Sequence, residues 1–209
     1  SGVGIRPEQT IREAAVLMEH AGVGSLAVID GTELVGIVTD RDLVRRGMAR
    51  DLSGEARVDG ALAEWIHAQH VFFVASAPLA RTGHVNLSPK GLDALAILAP
   101  REVAYLDLVG SGAETIAHAR ENGRITLMMC AFEGPPRIVR LQGHATAIEP
   151  GDAEFAGLVA KFKARDGVRS VIRIALTRIS DSCGYGVPLM RYEGDRKQLG
   201  AWVDRKGAD

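Results

Sequence analysis

The sequence predicts an α+β chain of two small units: an α/β module over residues 1–57 and an antiparallel barrel with flanking helices over residues 58–209. Two observations carry this. Residues 1–57 change from helical to strand to helical pattern within a short span, whereas the rest offers a series of strand-like runs with few helical stretches between them, an order that suits a small barrel. The length of 209 residues with 46% hydrophobic content fits two globular domains. The junction Arg57-Val58-Asp59-Gly60 is short and lacks the Gly/Ser or Pro content of a flexible linker.

In the front module, Thr10 followed three residues later by Glu13 is a capping-box signature, and Ala14, Ala15, Leu17 and Met18 supply an apolar helix face. Gly22 and Gly24 end that helix. Ser25 to Asp30 and Glu33 to Val38 are strand-like runs separated by an Asp30-Gly31 turn signal. A second helix is expected from Thr39 or Asp40, carrying Leu43, Val44 and Met48, with Arg45 and Arg46 toward its C-terminal half.

In the second unit, Ala61 to Gln69 reads as a short amphipathic helix. Strands are expected at Val71 to Ala75, Val85 to Ser88, Glu102 to Leu108, Arg124 to Phe132, Arg137 to Ala147 and Arg169 to Ile179. Ile116 to Glu121 is a helix, Glu133-Gly134-Pro135-Pro136 a turn, and Asp152 to Arg165 a helix with Phe155, Leu158, Val159 and Phe162 at helical spacing.

Composition excludes some functions. Net charge is -1, with 25 Lys+Arg against 26 Asp+Glu, so the chain lacks the positive field that nucleic acid or an anionic membrane demands. No apolar run reaches the roughly 20 residues of a membrane span, and no signal-peptide order opens the chain. Two cysteines, Cys130 and Cys183, suit a reducing compartment, so a cytoplasmic location is expected. His67 and His70 are three apart, but no further ligands stand at matching spacing, and no metal site is expected.

Two runs point to a phosphate pocket. In Gly83 to Gly91, alternation places His84, Asn86 and Ser88 on one strand face, and the run ends in Lys90, a point charge suited to phosphate. In Asp107 to Thr115, Gly110 and Gly112 allow backbone N–H groups to converge, Ser111 and Thr115 add hydroxyls, and a helix N-terminus follows. The plainer reading of the second run is a turn and a helix cap.

Residues 60 to the C-terminus resemble the pyridoxamine 5′-phosphate oxidase-like FMN-binding split-barrel family. The landmarks are Glu64-Trp65-Ile66, Gln69 to Ala75, Gly83 to Gly91, Val103 to Asp107, Glu121 to Met128 and Asp181 to Pro188. The resemblance implies FMN at a homodimer interface, with Val85, Asn86, Leu87, Ser88 and Lys90 along flavin and phosphate, Ser111 and Thr115 beside the phosphate, and His118 within reach of phosphate or the flavin edge. His118 has an equal alternative as a helix histidine packed beneath a strand. Two family features are missing. Glu114 and Thr115 stand where an Arg-Lys pair is usual, and Arg191 to Arg196 replaces an Arg-Leu-Pro substrate signature; pyridoxamine phosphate is therefore not expected as substrate.

Residues 1–57 resemble a CBS domain, through Gly36-Ile37-Val38-Thr39-Asp40-Arg41-Asp42. The resemblance implies an adenosine nucleotide held by Thr39 and Asp42; the alternative is that Thr39 only caps the helix and Asp42 only sits in its first turn. CBS domains normally pair, so this single copy is expected to find its partner in another subunit. The fold expected is thus a small α/β CBS-like module followed by an antiparallel FMN-binding split β-barrel. The leading function is an FMN-dependent oxidoreductase; the rival is a non-catalytic flavin- or nucleotide-binding regulatory protein.

Overall fold

The computed structural model describes residues 4–43, 57–110, 112–163 and 166–198. The chain divides into two compact units, Ser1–Gly54 and Glu55–Asp209.

The first unit begins with β1 (Gly4–Ile5), which pairs in parallel with β2 (Ser25–Asp30); β2 pairs antiparallel with β3 (Glu33–Thr39). Asp30 faces Glu33 across a two-residue turn in which Gly31 adopts φ 61°, the left-handed conformation such hairpins require. Between β1 and β2 runs α1 (Ile11–Ala21). Its start is the expected capping box: the Thr10 hydroxyl accepts from the Glu13 amide, and the Glu13 carboxylate accepts from the Thr10 amide. It stops at Gly22, in a left-handed C-cap. Ala14 and Met18 of α1 bury against Ile5 and Leu26, each large apolar side chain contributing about 1.5–3 kcal/mol by leaving water. Ala15, expected on that face, is exposed. A single turn, α2 (Asp40–Asp42), follows β3; Val44, Arg45, Arg46 and Met48, expected in this helix, lie outside the described residues.

The second unit opens with α3 (Gly60–His67), whose Leu62 amide donates to the Asp59 carboxylate. The strands are β4 (Phe72–Ser76), β5 (Asn86–Lys90), β6 (Leu95–Ala99), β7 (Glu102–Leu108), β8 (Arg124–Cys130), β9 (Ile138–Ile148) and β10 (Val168–Ser182). All pair antiparallel, in the order β5-β4-β8-β9-β10-β7-β6. Helix α4 (Glu114–Glu121) precedes β8, and α5 (Phe155–Val159) precedes β10. Strand β6 was not expected, because the short, non-alternating run Leu95-Ala96-Ile97-Leu98-Ala99 carries no periodic signal of its own. The helix expected over 152–165 is only the five residues of α5; its neighbouring turns close with the tighter i−3 bonds Lys161 to Leu158 and Phe162 to Val159. Phe155, Leu158, Val159 and Phe162 still pack on the core as their spacing implied.

The sheet curls until its two ends meet. Phe72 of β4 meets Tyr105 of β7 edge to face at 5.6 Å, and Lys90 on edge strand β5 reaches Asp107 on β7. The result is a mixed α+β fold, a barrel split along the β5 and β6 edges. Val103, Ala104, Tyr105 and Leu106 are consecutive and all buried, so β7 is covered on both faces.

Candidate functional site

Strand β5 puts Asn86, Ser88 and Lys90 on one half-buried face, with Leu87 and Pro89 outward. The Ser88 hydroxyl donates to the Asn86 side-chain oxygen at 3.1 Å, and the Asn86 amide donates to Thr115 Oγ1 at 3.0 Å. Thr115 is buried in the first turn of α4, so this relay ties the helix to the strand.

At the end of the row, Lys90 Nζ donates to Asp107 Oδ1 at 3.2 Å. Arg169 donates to the other oxygen of the same carboxylate, through Nε at 3.0 Å and Nη2 at 2.7 Å, and Nη2 also reaches the Gly112 carbonyl at 2.7 Å. Asp107 is 2% exposed. A buried carboxylate needs such partners, because its desolvation is otherwise prohibitive. Two cations on one carboxylate leave that cluster one positive charge, which the Glu114 carboxylate lining the same cavity balances. Beside it, the Tyr105 hydroxyl is buried without closing a hydrogen bond, and burial, followed by the Asp107 charge, pushes its pKa far above the usual tyrosine range.

Lys90 and Arg169 stand on the wall of a cavity of about 450 Å³, with Asn86, Ser88, Gly110 and Gly112 also lining it. The Gly112 carbonyl is turned to Arg169, and the Glu114 carboxylate folds back against Gly112, where a Cβ would lie within 2.9 Å of Glu114 Oε1. A carboxylate of the chain itself thus sits by the start of α4, as the dipole favours.

Of the residues singled out from sequence, Asn86, Ser88 and Lys90 share the cavity wall, and Thr115 supports it from behind. Ser111 lies outside the described residues. Val85 and Leu87 are 70% and 64% exposed and do not line the cavity. His118 is buried, its Nδ1 2.9 Å from Ser76 Oγ, which fits the packed-histidine alternative; it too is absent from the cavity wall. Arg169 was missed, since nothing near the start of an apolar strand marks an arginine whose partner lies 62 residues earlier. Asp107 did carry a signal, as an acid at the end of the apolar run Val103 to Leu106 that must find a cation.

In the first unit, Thr39 and Asp42 face each other. The Asp42 amide donates to Thr39 Oγ1 at 3.1 Å, while Asp42 Oδ2 accepts from Thr39 Oγ1 at 2.8 Å and from the Thr39 amide at 3.3 Å. His70 stacks on Tyr192, ring centroids 3.6 Å apart. Among the described residues no group of three or more His, Cys, Asp or Glu is placed to hold a metal, and no helix is long and apolar enough to cross a membrane.

Comparison with known proteins locates both units. Residues 3–49 match the CBS domain model and residues 58–183 the pyridoxamine 5′-phosphate oxidase model. A pyridoxamine 5′-phosphate oxidase family protein of Aspergillus flavus, ustO, is 47% identical over 133 residues, a stretch that is 62% of this chain and 53% of that protein; the chain thus spans about half the length of this relative. Among solved structures, a variant of HupZ from Group A Streptococcus is 21% identical with TM-score 0.48, covering 60% of this chain and 99% of its own. An FMN-binding protein from Syntrophomonas wolfei is 14% identical with TM-score 0.43, covering 73% and 97%. With more than half its length matched by one family, the chain belongs to the pyridoxamine 5′-phosphate oxidase family and carries a CBS domain ahead of that match.

Proposed function

We propose that the second unit is an FMN-dependent oxidoreductase, with the flavin held where two copies of the chain meet. The observation that carries this is the pairing of Lys90 and Arg169 on the wall of a cavity that also presents Asn86 and Ser88. The residues fit the cofactor: two cations suit a phosphate, an amide and a hydroxyl suit a ribityl chain or ring edge, and about 450 Å³ falls within the range of small-molecule sites. Arg169 supplies the second cation that Glu114 and Thr115 cannot. Lys90 and Arg169 would hold the phosphate, and Asn86 and Ser88 would orient the flavin. Bound FMN would supply hydride or electron transfer. The homodimer reading draws support from Val85 and Leu87, apolar and exposed along the edge strand β5 and the turn before it, where unpaired strands seek partners.

A second reading, a non-catalytic flavin- or nucleotide-binding regulatory protein, is favoured by the CBS domain, in which Thr39 and Asp42 would take an adenosine nucleotide. The visible spectrum of purified protein separates the two. Flavin absorbance that bleaches with NADPH or NADH and returns in air supports the enzyme; flavin that resists reduction supports the regulator; no uptake of FMN by the apoprotein removes both flavin readings. Light scattering of the FMN-loaded protein should report a dimer, and a monomer at micromolar concentration would overturn the shared site.

A further inference from the structure

We propose that Asp107 is a positioning residue for the phosphate of a bound flavin, acting through Lys90 and Arg169 without touching the phosphate. The assignment rests on the FMN reading. Three observations support it. First, Asp107 spends one oxygen on each cation, Oδ1 on Lys90 and Oδ2 on Arg169, so it joins β5 to β10 across the split of the barrel. Buried ion pairs contribute little net stability compared with apolar packing of similar shape, so stability alone gives no reason for a carboxylate here. Second, β10 is irregular at this point. The register with β7 shifts between Val168 and Ser170, and a bulge is a device that re-aims a side chain. The residue re-aimed is Arg169.

Third, the bonds leave donors over. Arg169 uses Nε and Nη2 on Asp107 and Gly112, so the guanidinium plane is fixed at both ends while Nη1 has no partner among the described residues. The Lys90 ammonium has three donors and spends one of them on Asp107. Two oriented cations with uncommitted N–H groups thus line the cavity. Without Asp107, two flexible side chains would have to be ordered by the phosphate itself, at an entropic cost that weakens binding.

The alternative is that Asp107 merely dilutes the positive charge, and the two ideas predict opposite signs. Asp107→Asn removes the charge and presents an N–H to one of the two cations. If Asp107 positions, the preference for FMN over riboflavin, read by quenching of flavin fluorescence, falls at least about tenfold, with riboflavin affinity little changed. If Asp107 only dilutes charge, the preference rises. Should Asp107→Asn fail to fold, Asp107→Glu keeps the charge and displaces the carboxylate by one methylene; positioning again requires the preference to fall, whereas charge dilution leaves it unchanged. A wild-type protein that prefers FMN, with variants that keep or increase that preference, overturns the assignment alone. A wild-type protein that binds neither flavin overturns the FMN reading and the assignment with it.

Discussion

Asp42→Ala asks what the first unit does, because two roles for the same carboxylate predict different losses. In the structure Asp42 closes a capping box on Thr39, accepting from its hydroxyl at 2.8 Å and its amide at 3.3 Å. The amide bond is long and the pair is half-buried, so removing the carboxylate should cost about 1 kcal/mol, in the range of helix-cap deletions. That corresponds to roughly fivefold faster hydrogen exchange at amides around Thr39 and Asp42 in the full-length chain, where exchange follows local opening. Asp42→Asn keeps an acceptor for the cap and should retain most of that protection. If Asp42 also holds a ribose, both substitutions should weaken AMP, ATP or S-adenosylmethionine by about 1–3 kcal/mol, the worth of charge-assisted hydrogen bonds, seen by calorimetry. Exchange unchanged in Asp42→Ala would refute the capping argument. No heat with any of the three nucleotides would remove the ligand role and leave the cap.

In the second unit, Lys90→Ala should weaken FMN by about 1.5 kcal/mol, roughly tenfold, with Arg169 left to hold the phosphate, and should weaken riboflavin much less; equal losses in a fluorescence titration would take Lys90 away from the phosphate. Gly143→Ala would drive a Cβ into the Ala175 carbonyl, 2.9 Å from its carbon and 3.1 Å from Leu176 Cα. Backbone cannot rotate aside, so the cost should be about 1–3 kcal/mol in denaturant melts, whereas Gly151→Ala, with nothing within 4 Å, should be near neutral. Glu13 is held below the usual carboxylate range by its hydrogen bonds to the Thr10 backbone and side chain. Its stabilising effect is therefore present above the unfolded pKa and lost as pH falls through the lower folded one. Amide exchange around Thr10 should lose protection as the solution is acidified below about pH 4, and Glu13→Gln should flatten that pH dependence.

Local chemistry was enough for the sequence by itself to determine the elements whose signals lie within a few residues. Thr10 and Glu13, three apart, announce α1 because a cap needs no distant partner; Asp30-Gly31 announces the β2–β3 turn because the turn needs only a residue free to take positive φ. The row Asn86, Ser88, Lys90 follows from the two-residue period of a strand, and both families were legible in short runs such as Gly36 to Asp42 and Gly83 to Gly91. Tertiary structure alone decided the rest of the site. Arg169 meets Asp107 where the register of β10 on β7 shifts, 62 residues further along the chain, and no local period encodes such a reach. Which donor the Gly112 carbonyl meets was likewise undecidable from the local run, since Arg169, which captures it, lies 57 residues further along the chain.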